Sequence, residues 1–88
     1  MGMFDWIDVD WPTVPKGGEY QTKSLYCNLD RYAITSGGRL VMVKPYFSGP
    51  VPGTDLCYDG DIIFGDGQDE FEARFANGQL AMIDKLTR

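Results

Sequence analysis

The stretch FEARFANGQLAMID, residues 71–84, decides the fold. Phe71, Ala73 and Phe75 alternate with Glu72 and Arg74, which is the period of a strand with one buried face. Asn77-Gly78 follows, and this dipeptide suits a two-residue hairpin turn because both central residues need positive φ. The turn pairs Ala76 with Gln79 and sets Phe75 opposite Leu80. Continued without interruption, the register sets Ala73 opposite Met82 on the core face, with Glu72 and Arg74 on the other face near Ala81 and Ile83.

Working outward, Asp61 to Phe64 (DIIF) reads as a short apolar strand, closed by the polar loop 65–69. Tyr32 to Lys44 reads as a second hairpin, in which YAIT and RLVMVK flank Ser36-Gly37-Gly38. Residues 45–60 hold three prolines and three glycines and read as a long loop, a kind of segment that often carries function. Near the start, Ile7, Val9 and Trp11 alternate with Asp8 and Asp10. Phe4, Ile7 and Trp11 also share a helical face, but the β-branched and aromatic content favours a strand. Residues 19–24 (EYQTKS) alternate as well. From Leu25 to Tyr32 the pattern fits a helical turn and a strand equally.

The expectation is one domain over residues 1–88, mainly β, or α+β if Leu25 to Asp30 adds one short helix. Five or six strands in antiparallel hairpins would form a small open barrel or a folded sheet. Apolar residues make up 43% of the 88, so the chain can bury a core. Cys27 and Cys57 are too few for a disulfide framework and read as buried reduced thiols.

The inventory of reactive groups argues against an enzyme. Histidine is absent, which removes the commonest general base and metal ligand. Two cysteines without histidine do not make a zinc site, and no phosphate-cradling glycine motif occurs. No cofactor or metal is expected. Asp59, Asp61, Asp66 and Asp69 could offer oxygen ligands to calcium, but Ile63 breaks the EF-hand spacing.

Charge is the one local feature. The net charge is −5, yet no Lys or Arg lies between Pro45 and Ala73. That stretch holds Asp55, Asp59, Asp61, Asp66, Asp69, Glu70 and Glu72, seven of the thirteen acids. They read either as a solvated face or as a docking surface for a host protein with a basic surface. Tyr46 and Phe47, in the long loop, are the aromatics best placed to join such a contact. Direct nucleic-acid binding and anionic membrane binding are not expected of this charge. Nor is a platform of interleaved cations and aromatics: the 45–73 stretch with Tyr46, Phe47 and Tyr58 holds no cation, and none precedes Lys16. The acidic start lacks the features of a signal peptide, which points to the host cell cytoplasm.

MGMFD at the start, QTKSL at 21–25, Leu29-Asp30, Tyr32, Ile34, and Gly38 with Leu40 form a pattern that resembles a group of small bacteriophage and prophage proteins. Asp61 to Phe64 and Ala73 to Phe75 compare with an Asp-Ile-x-Phe and an Ala-Arg-Phe strand of that group. Some members carry a Cys-Pro-x-Cys-Gly segment where this chain has Pro12-Thr13-Val14-Pro15, so no metal knuckle carries over. The resemblance brings no established activity. It implies a phage setting, in which small acidic proteins of anti-CRISPR and anti-defence type block host complexes. The expected function is inhibition of such a complex by steric and electrostatic blocking. The alternatives are a particle or assembly component, and a domain that binds a small ligand such as a nucleotide signal.

Overall fold

The computed structural model describes residues 4–15, 19–25, 27, 29–45 and 51–86. Seven strands form one sheet: β1 (Asp5–Val9), β2 (Tyr20–Thr22), β3 (Arg31–Ile34), β4 (Leu40–Lys44), β5 (Gly60–Gly65), β6 (Glu70–Ala76) and β7 (Gln79–Leu86). Their order is β4-β3-β1-β2-β5-β6-β7. The fold is mainly β, with no helix among the described residues, and the sheet does not close into a barrel. Tyr46 and Phe47 lie outside the described residues.

Alternation builds the core. Ile7 and Val9, Tyr20, Tyr32 and Ile34, Leu40 and Met42, Ile62 and Phe64, and Phe71, Ala73 and Phe75 all point to one face. The sheet curls round them. Tyr20 meets Phe64 and Phe71 edge-on, with ring centroids 5.4 and 5.7 Å away. Val14 and the partly buried Trp11 close one side.

One pairing departs from the antiparallel expectation. β1 lies between β2 and β3, antiparallel to the first and parallel to the second. The chain leaving β2 wraps round the start of β1 before it enters β3. The buried Asp5 carboxylate fixes that wrap. It accepts hydrogen bonds from Cys27 N at 2.8 Å and Asp30 N at 3.0 Å. Leu29 N donates to Phe4 O, and Trp6 N to Asp30 O, both at 2.9 Å. Cys27 and Leu29 take φ of 56° and 59° here. This conformation disfavours side chains, and it is held at Cys27 by the Asp5 carboxylate and at Leu29 by Phe4 O. Of the stretch from Leu25 to Asp30, the described residues Leu25, Cys27, Leu29 and Asp30 belong to neither helix nor strand. Nor are the cysteines buried: Cys27 is half-buried and Cys57 exposed, because both sit at left-handed turns in loops.

The β6–β7 hairpin turns at Asn77-Gly78, with φ of 54° and 83°, and pairs Ala76 with Gln79 and Phe75 with Leu80. Then the register shifts. Arg74 faces Met82 and Ala73 faces Ile83, so Ala81 is an extra residue. The bulge turns Ile83 into the core and Met82 out to solvent, the reverse of the uninterrupted register. A second bulge lies in β4, where Arg31 pairs with Lys44 but Tyr32 with Met42, leaving Val43 extra.

Between β2 and β5 only two pairs form, Gln21 with Gly65 and Thr22 with Phe64. Side chains extend this short seam. Thr22 Oγ1 donates to Ile63 O at 2.7 Å, and Ser24 Oγ accepts from Ile63 N at 3.0 Å.

Both outer edges are guarded. Residues 53–56 run along β4, with Met42 N donating to Thr54 O, Gly53 N to Met42 O and Leu56 N to Leu40 O. On β7, Lys85 carries a charge next to Phe71, on the core side of the strand, and pairs with Asp69 at 3.3 Å. A lysine on an edge strand deters strand addition.

Asp5→Ala leaves two loop N–H groups without their acceptor and should cost about 3 kcal/mol; Asp5→Asn keeps one acceptor oxygen and should cost about half that. Urea unfolding of the three proteins checks the order. Lys85→Val should leave the monomer folded but bring on self-association, visible as a concentration-dependent shift in sizing chromatography.

Candidate functional site

Among the described residues nothing covers the outer face of the sheet, and one rung crosses it from edge to edge. Lys44 pairs with Arg31, Arg31 with Trp6, Trp6 with Gln21, Gln21 with Gly65, Gly65 with Glu70, and Glu70 with Leu86. The rung is cationic and aromatic at one end, bare at Gly65, and acidic beyond it.

The acidic half is the outer face of β5–β6–β7. Asp61 stands opposite Arg74, and Arg74 opposite Met82. Ile63 stands opposite Glu72, and Glu72 opposite Asp84. Like charges directly opposite on neighbouring strands destabilise the pair. Arg74, 3.6 Å from Glu72, offsets this in part. Amid these charges Ile63 is 44% and Met82 39% exposed. Residues 59–86 hold seven acids against two bases, so this meander carries the excess negative charge of the chain.

The structure sorts the expected contact residues into two groups. Asp61, Glu70 and Glu72 share the outer face, with Asp66 and Asp69 at its end. Asp55 and Asp59 do not join them. They lie at the opposite end of the meander, where they fasten loops. Asp55 accepts from Arg39 Nε at 2.6 Å and from Cys57 N at 2.8 Å. Asp59 accepts from Asn77 N at 3.2 Å. Around them the hairpin tips interlock: Leu80 N donates to Gly38 O at 2.8 Å and Gln79 Nε2 to Gly37 O at 2.9 Å. Asp84, Ile63 and Met82 are the additions that the sequence reading missed. Asp84 follows the bulge, and β5 alternation was the available signal for Ile63.

Two aspartates are held below the ordinary value of 3.8, each through its bonds. For Asp55 the Arg39 guanidinium is the main cause, then Cys57 N. For Asp66 the causes are the N–H groups of Asp69 and Gln68, 2.8 and 2.9 Å from Oδ1, which close the β5–β6 turn. Among the described residues, no three acids or cysteines cluster as metal ligands.

Two hollows open on the outer face, one on each side of β1. The first, about 500 Å³, lies over the β2–β5 seam between Phe4, Lys23, Ser24, Ile63, Gln68 and Glu70, with Gly65 beneath. The second, about 380 Å³, lies between Trp6, Leu29, Arg31, Lys44 and Pro45. Arg31 lies over the Trp6 ring, 5.6 Å from its centroid, and its Nη1 reaches Asp8 at 3.0 Å. Phe4 meets Trp6 edge-on at 5.0 Å. Cations and an aromatic thus do converge on this protein, because β3 brings Arg31 beside β1 and β4 brings Lys44 beside Arg31. Comparison with family models, with curated proteins and with solved structures gives no match.

Asp55 and Asp66 titrate below their unfolded value, so they stabilise the fold at neutral pH, and that contribution is lost as pH falls below about 4. Thermal melting at a series of pH values should show a decline in this window that is smaller in an Asp55→Asn, Asp66→Asn double variant.

Proposed function

We propose that the protein is a binding module that docks the outer face of β5–β7 on a basic macromolecular surface of the kind that holds nucleic acid. The observation that carries this reading is the juxtaposition of Glu72 with Asp84, flanked by Asp61 and Glu70, around exposed Ile63 and Met82. An apolar centre ringed by charge of one sign gives both contact area and steering. In the phage setting that the sequence resemblance suggests, the partner is a host defence complex of CRISPR type. Occupying its nucleic-acid groove would be inhibition. Binding alone suffices for blocking.

Self-assembly through sheet edges has less support, since residues 53–56 cover β4 and Lys85 guards β7. Asp55 and Asp59 leave the proposed surface, because their carboxylates already serve the fold.

Charge reversal tests the assignment. Glu72→Lys with Asp84→Lys should keep the fold and weaken retention of a basic nucleic-acid-handling partner from host lysate by at least about tenfold. Ile63→Ser should weaken it without altering its salt dependence. Retention unchanged by the charge reversal would remove this face from the interface.

A further inference from the structure

The cationic end of the rung poses a separate question. Arg31 and Lys44 are cross-strand partners on one face, and like charges so placed repel. Arg31 has a counter-charge in Asp8. Among the described residues, no carboxylate pairs with Lys44. The arrangement is also a consequence of a specific irregularity. Without the extra residue Val43, alternation from the buried Met42 would aim Lys44 toward the core face. The bulge sets it beside Arg31 instead, in a hollow of about 380 Å³ walled by Trp6, Leu29 and Pro45. In a chain of net charge −5, two cations are thus gathered over an apolar and aromatic wall on the half of the face that lacks the acidic excess.

We propose that this hollow binds a small phosphomonoester, with the dianionic phosphate between Arg31 and Lys44 and its ring-bearing body against Trp6, Leu29 and Pro45. A doubly charged group matches the two cations and removes their repulsion. The Arg31 guanidinium offers N–H groups beyond the Nη1 contact with Asp8, and a planar fork suits phosphate oxygens. The apolar wall supplies area that bare phosphate cannot use. Long nucleic acid is disfavoured, because its other phosphates would meet the acidic half of the same face. The site is independent of the β5–β7 surface and shares no residue with it.

The test uses adenosine monophosphate as probe, followed through the indole N–H of Trp6 and the amides of Arg31 and Lys44 by two-dimensional NMR. Saturable shifts at these positions are expected at millimolar probe, weakening with salt. Lys44→Glu separates binding from structure. It places an acid opposite Arg31, so it should raise the melting temperature by about 2 °C while weakening the probe by at least about tenfold. Inorganic phosphate should bind more weakly than the nucleotide. Absence of shifts at these three residues, undiminished binding in Lys44→Glu, or equal affinity for inorganic phosphate overturns the proposal. Tighter binding of a single-stranded oligonucleotide than of the mononucleotide also overturns it, in favour of a nucleic-acid surface.

Discussion

A single buried carboxylate governs how the strands are arranged. Asp5 sits at the start of β1 with both oxygens occupied by backbone N–H groups of the passing chain. A side chain without two acceptor oxygens leaves one of those N–H groups without its acceptor, at the point where Cys27 and Leu29 take left-handed conformations and the chain doubles round β1. With that wrap fixed, β3 enters parallel to β1, and β4 follows by hairpin. Everything on the cationic half of the outer face depends on this, since Arg31 reaches Trp6 only by the parallel pairing. The nearby Asp30, also buried, accepts from Tyr32 Oη at 3.4 Å and ties the wrap to the core.

The outer face then acquires two characters from one sheet. Toward β7 it is acidic with isolated apolar side chains; toward β4 it is cationic and aromatic. Each end keeps a cross-strand pair of like charge, Glu72 with Asp84 and Arg31 with Lys44. Sheets seldom gain stability from such pairs, which draws attention to what each end could meet from outside. The two bulges matter as much as the charges. One turns Met82 outward among the acids, and the other turns Lys44 outward beside Arg31.

The strands themselves were legible because their period is local. Alternation marks Ile7 and Val9, Ile62 and Phe64, and Phe71 to Phe75 without reference to neighbours, and Asn77-Gly78 marks its own turn. What could not be read was decided at a distance. Ala81 looks like any residue of its strand, and it bulges because Ile83 is the better core side chain. Leu25, Cys27, Leu29 and Asp30 fit two periods and follow neither, since Asp5, some twenty residues earlier, holds the amides of Cys27 and Asp30. The acid-rich stretch was visible as composition, but its division was not. Asp55 and Asp59 became loop fastenings only because Arg39 and Asn77 fold against them. The cation–aromatic hollow was invisible for the same reason: Trp6, Arg31 and Lys44 are far apart in the chain.

The seam between β2 and β5 has a kinetic meaning. On one side, β1 to β4 pair among themselves; on the other, β5 to β7 form a meander of near neighbours. Joining them requires Gln21 and Thr22 to find Gly65 and Phe64 across a separation of more than forty residues. Contacts that close so long a loop reward the chain late. Each half can therefore gather early, but Tyr20 stays without its ring partners until the seam shuts. During synthesis the amino-terminal half must wait, with that aromatic surface open, until most of the meander has emerged.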